Sequence, residues 1–248
     1  MEHKVNYLVN WLREQVKHAN VKGLVVGLSG GLDSALVANL IKRAVPDQSL
    51  VVIMPCESQS EDIEHARALV NQAKITDLTI DLTDSYQELY QTIYQTVKTE
   101  SSFHQEHDQL ARANLKARLR MATLYTIATN YQYLVVGTDN AAEWYTGYFT
   151  KYGDGGVDIN PLVHLTKSEV KEMAEFVGVP AEITEKKPSA GLWDGQTDED
   201  EMGTSYEYID RYLKGESIPD RDREIIEQMH NRSKHKRKIA ATPDQFDS

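Results

Sequence analysis

The stretch GLVVGLSGGLDSALVANLI, Gly23 to Ile41, decides how this chain is read. A continuous apolar, β-branched run ends at Leu28, Ser-Gly-Gly follows, and a carboxylate stands at Asp33. Apolar positions at helical spacing, Leu36, Val37, Leu40 and Ile41, begin at once. This is the pattern of a strand buried on both faces that turns directly into an amphipathic helix. Glycines at 27, 30 and 31 permit close backbone approach, and a helix start points its free N–H groups back at the loop. Together with the hydroxyls of Ser29 and Ser34 those groups make an anion site. The segment Gly27, Leu28, Ser29, Gly30, Gly31, Leu32, Asp33, Ser34 therefore reads as a phosphate cradle.

The cradle lacks the lysine of G-x-x-x-x-G-K-[ST] and the glycine spacing of G-x-G-x-x-G. Asp33 would repel phosphate unless a divalent cation bridged the two, which implies Mg2+ at this position.

Working outward, LVVIMP (Leu50 to Pro55), LTIDL (Leu78 to Leu82) and YLVVG (Tyr133 to Gly137) are further strand candidates beside Gly23 to Leu28. Helical spacing recurs at Ile63, Ala66 and Val70 and at Leu115, Leu119, Ala122 and Thr126. Ser58 with Glu61 and Thr166 with Glu169 match the capping pattern of helix starts, and Gly178 marks a helix stop. The alternation predicts an α/β fold: a doubly wound parallel sheet with helices on both faces. A single domain over residues 1–248 is expected, ending in a helical segment from about 198. In such sheets ligands bind beyond the carboxyl ends of the strands, where GLSGGLDS and GTDNAAE both fall.

Composition narrows the function classes. A formal charge of −11 over 248 residues argues against a nucleic-acid partner, because phosphate backbones select basic surfaces. The N-terminus is interrupted by charge every few residues and no stretch is long enough to span a bilayer, so a soluble, cytoplasmic protein with no membrane partner is expected. One cysteine, Cys56, rules out an intrachain disulfide framework.

At SGGLDS the chain resembles the PP-loop ATP pyrophosphatases, of adenine nucleotide alpha-hydrolase-like fold. Asn114–Met121 (NLKARLRM), Val135–Leu162 (VVGTDNAAEWYTGYFTKYGDGGVDINPL) and Ser233–Lys238 (SKHKRK) are similar, in order, to the ammonia-dependent NAD+ synthetases. The resemblance implies ATP as co-substrate with Mg2+, and ATP-dependent amidation of deamido-NAD+ by ammonia to NAD+, AMP and pyrophosphate through an adenylate. It makes Glu143 a second magnesium ligand beside Asp33, a pairing that requires their two strands to be neighbours. It makes Thr138, Lys167 and Ser189 ATP contacts, Ser189 standing where relatives carry threonine. Arg118, Lys151, Asp158, His235 and Lys236 correspond to contacts with deamido-NAD+. Asp154 corresponds to an acid near the reacting centre that holds ammonium and accepts its proton, giving a catalytic set of Asp33, Glu143 and Asp154. The FTKYGDGGVD loop is the candidate lid, and the resemblance implies a homodimer.

By composition alone Lys116, Arg118 and Arg120 read as a solvated basic helix face, and SKHKRK as a basic tail. IMPCESQSED, Ile53 to Asp62, departs from the arginine-containing segment of many relatives, so no adenine contacts are assigned there. Cys56 as a glutaminase nucleophile would need a histidine partner, and relatives that use glutamine are longer; ammonia is expected from solution or a separate partner. Two other readings remain: another PP-loop adenylating enzyme, such as a tRNA thiolase or a GMP synthetase subunit, and a non-catalytic nucleotide sensor of similar fold.

Overall fold

The computed structural model describes residues 1–101, 103–188 and 197–243. In chain order the elements are α1 (Glu2–His18), β1 (Gly23–Gly27), α2 (Leu32–Ala44), β2 (Ser49–Ile53), α3 (Ser60–Ala73), β3 (Thr76–Thr79), α4 (Thr83–Val97), α5 (Asp108–Tyr131) and β4 (Tyr133–Val135). They continue with α6 (Ala141–Thr146), α7 (Lys167–Val177), α8 (Ala181–Thr184), α9 (Asp198–Met202), α10 (Tyr206–Leu213) and α11 (Asp220–Arg232). The strands form one parallel sheet of order β3-β2-β1-β4.

Alternate residues of the central strands feed two cores. Leu24, Val26, Val51 and Ile53 point to one face, packed with Leu12 of α1, Leu36 and Leu40 of α2 and Met173 of α7. Val25, Leu50 and Val52 point to the other, against Tyr86 of α4 and Leu124 and Ile127 of α5. Burial on both faces explains why β1 and β2 read as unbroken apolar runs, each fully buried side chain being worth about 1.5–3 kcal/mol. A third, smaller cluster joins Ala142 of α6 to Met202, Tyr206, Ile209 and Ile226 of the C-terminal helices.

Several expectations shift. The strand placed at Leu78–Leu82 runs Thr76–Thr79 and is a largely exposed edge, not a doubly buried strand. The fourth strand is short, and Val136 continues it only by an isolated bridge to Ile159. Ser58 is not a helix cap: α3 starts at Ser60, while the Ser58 hydroxyl accepts from the Cys56 amide and from Arg120. The capping box at Thr166 and Glu169 and the left-handed stop at Gly178 are present.

Order reverses between β1 and β4, the switch point at which ligands bind in such sheets. Of the loop glycines, Gly30 alone takes a positive φ, +83°, and a Cβ there would stand 2.2 Å from the Asp62 carbonyl oxygen. Gly30→Ala is expected to lower stability by about 2–5 kcal/mol, combining left-handed strain with a backbone clash. Urea unfolding measures this, and an unchanged midpoint would show that the loop reshapes freely.

Candidate active site

The cradle grows from the β1–α2 turn. Ser34 Oγ donates to the Gly31 carbonyl at 3.0 Å and accepts from the Ser29 amide at 3.2 Å, and Ser29 Oγ accepts from the Gly31 amide at 3.2 Å. The two hydroxyls thus shape the loop, and these two amides are spent within it. The amides of Gly30, Leu32 and Asp33 have no partner among the described residues, as expected at a helix start available to an anion.

Asp33 and Glu143 meet across the switch point, as their neighbouring strands require. Lys167 Nζ lies 2.6 Å from Asp33 Oδ2 and 3.3 Å from Glu143 Oε1. Asn140 Nδ2 donates to Asp33 Oδ1 at 3.0 Å, and the Tyr206 hydroxyl reaches Glu143 Oε1 and Asp198 Oδ2 at 3.0 Å each. Lys167 is aimed by α7, whose first amides, Lys167 N and Ser168 N, are capped by the Asp210 carboxylate of α10 at 3.0 and 2.9 Å. Burial disfavours the Lys167 ammonium, but Asp33 and Glu143 outweigh it and hold the group above its ordinary range.

Asp33, Glu143, Lys167 and Asp198 line a cavity of about 430 Å³ with Gly27, Leu28, Thr138, Asp154 and Lys236. Burial raises the Asp154 carboxyl, against the Thr150 amide that donates to it at 3.0 Å. Beside it lies Asp139, 4 % exposed, whose Oδ2 has no hydrogen-bond partner among the described residues. Burial first, then Asp154, Glu143 and Asp33, raise its carboxyl well above the ordinary range. Asp139, Asn140, Arg120, Asp198 and Tyr206 were not anticipated as site residues. The first two sit between Thr138 and Glu143 in the motif that pointed there; the C-terminal pair carries no local signal.

Arg118, Lys151, Asp158 and His235, expected as substrate contacts, are not among the residues that line this cavity. Arg118 is exposed and donates to the Lys151 carbonyl at 3.4 Å; Lys151 Nζ donates to the His235 carbonyl at 2.7 Å. Asp158 accepts from the Val135 amide and the Tyr125 hydroxyl, at 2.8 and 3.0 Å. Ser189 lies outside the described residues. The basic face and tail are not simply solvated: Lys116 is buried and paired with Glu57 at 2.8 Å, and Arg120 lines the cavity. Lys236 donates to the Gly147 and Phe149 carbonyls at 2.8 and 2.6 Å, latching the C-terminal segment onto the FTKYGDGGVD loop. Cys56 is buried in the core and its thiol is raised by that burial, the reverse of an activated nucleophile.

The donor set fits a divalent cation. Two hard carboxylates already converge on one cationic atom, Lys167 Nζ, beside unpartnered amides suited to phosphate. Among the described residues no cluster of three or more His, Cys, Asp or Glu could hold a metal alone. That leaves phosphate oxygens and water to complete the shell, the way Mg2+ is bound at nucleotide sites.

Burial pushes the Glu143 carboxyl up to about 7 from an ordinary 4.5, with Lys167 pulling down and Asp33 pushing up. A carboxyl raised in the native state binds its proton more tightly than in the unfolded chain. Its contribution to stability is therefore fully present below about 4.5 and lost as pH rises through about 7. Glu143→Gln is expected to flatten the fall of Tm across that window in metal-free protein; an unchanged slope would place the titration elsewhere.

A parallel sheet with a glycine-rich, amide-lined loop and paired carboxylates at its switch point defines a nucleotide-phosphate enzyme site. A family model described as NAD synthase matches residues 4–240, and the chain belongs to that family. It is 51 % identical to the NH(3)-dependent NAD(+) synthetase of Alkaliphilus oremlandii (strain OhILAs), over 98 % of this chain and 97 % of the relative. Among solved structures it is similar to the NMN synthetase from Francisella tularensis, with 42 % identity, a TM-score of 0.91 and 98 % of each chain covered. It is also similar to an NH3-dependent NAD synthetase from Campylobacter jejuni, with 27 % identity and a TM-score of 0.76 over 98 % of this chain and 99 % of the other.

Proposed function

We propose that the protein amidates the nicotinate carboxylate of deamido-NAD+ with ammonia, consuming ATP and releasing AMP and pyrophosphate. The observation that carries this reading is the convergence of Asp33, Glu143 and Lys167 beside the free amides of the α2 start. Hydroxide is a poor leaving group, so the carboxylate must first be activated. A carboxylate oxygen attacks the α-phosphorus, the bond to the β-phosphate oxygen breaks, and pyrophosphate departs. Ammonia then adds to the acyl carbon, the carbon–oxygen bond to AMP breaks, and the nitrogen sheds a proton.

Asp33 and Glu143 would hold Mg2+, which when bound would supply charge neutralisation on the phosphates. The chain's own residues do the rest. The Gly30, Leu32 and Asp33 amides receive the departing anion, a preorganised electrostatic contribution. Thr138, Lys167 and Ser189 orient ATP. Asp154, a buried acid whose carboxyl burial raises above its ordinary range, holds ammonium and takes its proton. Arg118, Lys151, Asp158, His235 and Lys236 hold the acceptor, and the FTKYGDGGVD loop shields the adenylate from water.

We read the chain as one cytoplasmic domain, active as a homodimer. No helix among the described residues is long and apolar enough to cross a membrane. Exposed Leu89 and Ile93 on α4 and Leu110 on α5 offer apolar surface that a second copy would cover.

The TM-score of 0.91 to the Francisella enzyme favours a second reading, in which the acid form of NMN, a mononucleotide, is amidated. The chemistry at the carboxylate is the same, so initial rates with the two acids decide. A larger kcat/KM for deamido-NAD+ upholds the first reading, and a larger value for nicotinic acid mononucleotide replaces it with the second.

A further inference from the structure

Asn140 is 0 % exposed and touches both carboxylates at once. Its Oδ1 accepts from the Glu143 amide at 3.1 Å, its own amide donates to Glu143 Oε2 at 3.1 Å, and its Nδ2 donates to Asp33 Oδ1 at 3.0 Å. The first two bonds are the capping box that starts α6. A cap needs only an acceptor, and the chain caps α7, α9 and α10 with Thr166, Thr197 and Ser205. The third bond needs a donor on the same side chain, which no hydroxyl already bent onto the Glu143 amide could extend as far as Asp33. Among the common cap residues, asparagine alone combines that acceptor with a fixed second donor.

The consequence is mechanical. Asp33 stands on α2 after β1, and Glu143 on α6 after β4, so each carboxylate's place depends on a different strand. Asn140 ties them within one fully buried residue: its side-chain amide holds Asp33 Oδ1 and the Glu143 backbone amide, and its own backbone amide holds Glu143 Oε2. Lys167 also spans the pair, but from a long and flexible side chain.

We propose that Asn140 is a positioning residue that sets the separation and orientation of Asp33 and Glu143 for a shared divalent cation. The proposal rests on the reading of those two residues as cation ligands. Partners that orient metal ligands are typically worth 10–100-fold in metal affinity.

Asn140→Ser keeps the cap and removes the tie, and Asn140→Thr does the same while filling more of the space. The probe is Mn2+, titrated by the EPR signal of the free ion with a non-hydrolysable ATP analogue present, alongside thermal melts. The expected result is a folded variant whose Mn2+ affinity falls roughly 10–100-fold, with the KM for metal–ATP rising more than kcat falls. A folded Ser or Thr variant with wild-type Mn2+ affinity overturns the proposal. Asp33→Asn in the same titration separates the two levels: if it loses Mn2+ while the Asn140 variants keep it, the positioning role alone fails. If Asp33→Asn also retains wild-type affinity, the cation reading fails and the proposal with it.

Discussion

Asp33→Asn is expected to leave the protein folded and to lower turnover by roughly 10³-fold, the rate equivalent of about 4 kcal/mol of lost transition-state stabilisation. The amide preserves the shape of the side chain and can still accept from Asn140, so the α2 start keeps its geometry. Lys167 retains Glu143 as a partner at 3.3 Å, which protects the fold from a fully unpaired buried cation. What disappears is the negative charge facing the phosphate cradle, and with it one of the two hard ligands. Steady-state rates beside a circular-dichroism melt separate the outcomes. A soluble, folded variant with near-normal kcat would remove Asp33 from the catalytic assignment.

Lys167→Met is expected to act in the opposite order, on stability before chemistry. Its ammonium is the cation that lets two carboxylates, each at most 16 % exposed, lie together in one cavity. Removing one partner from a buried charge cluster costs about 3–5 kcal/mol, because the remaining charges are left desolvated and mutually repelling. Metal-free Lys167→Met should therefore melt well below wild type. Added Mg2+ should raise its Tm by more than it raises that of wild type, since the ion no longer competes with an ammonium for the same oxygens. Paired melts with and without Mg2+ test this. Equal shifts in both proteins would show that Lys167 and the metal do not share a position.

The parts of this architecture legible in the sequence are those specified locally. β1 and α2 follow from an apolar run broken by Ser-Gly-Gly, and α7 from its capping box and stop glycine. The third strand was displaced because LTIDL carries more apolar residues than the segment that pairs, and an edge strand tolerates the polar sequence Thr76–Thr79. Ser58 matches a helix start in spacing, yet tertiary demand from Arg120 takes its hydroxyl. α1 buries Val5, Leu8, Leu12 and Val16 at helical spacing, a signal present in the chain but masked by its frequent charges.

At the site, Asp33 is legible because an acid in a glycine-rich phosphate loop has a chemical meaning of its own, whereas Glu143 follows from the resemblance of the Val135–Leu162 block. Tyr206, Asp198 and Asp210 lie far along the chain on helices whose sequence says only that they are amphipathic. Their approach to Glu143 and Lys167 is a product of packing around Ala142, Met202 and Ile209, which no local pattern encodes. Lys167 was noticeable as a cation where a helix start disfavours one; the two carboxylates that resolve the misfit come from outside its helix.

The central claim is that a substrate carboxylate attacks the α-phosphorus of ATP. It is tested most directly with deamido-NAD+ labelled with 18O in both carboxylate oxygens, incubated with the protein, ATP, Mg2+ and ammonium, the products being weighed by mass spectrometry. The account predicts one labelled oxygen in each AMP, one retained in the amide, and none in pyrophosphate. Label appearing in inorganic phosphate with ADP as co-product would contradict it, because the carboxylate would then have attacked the γ-phosphorus.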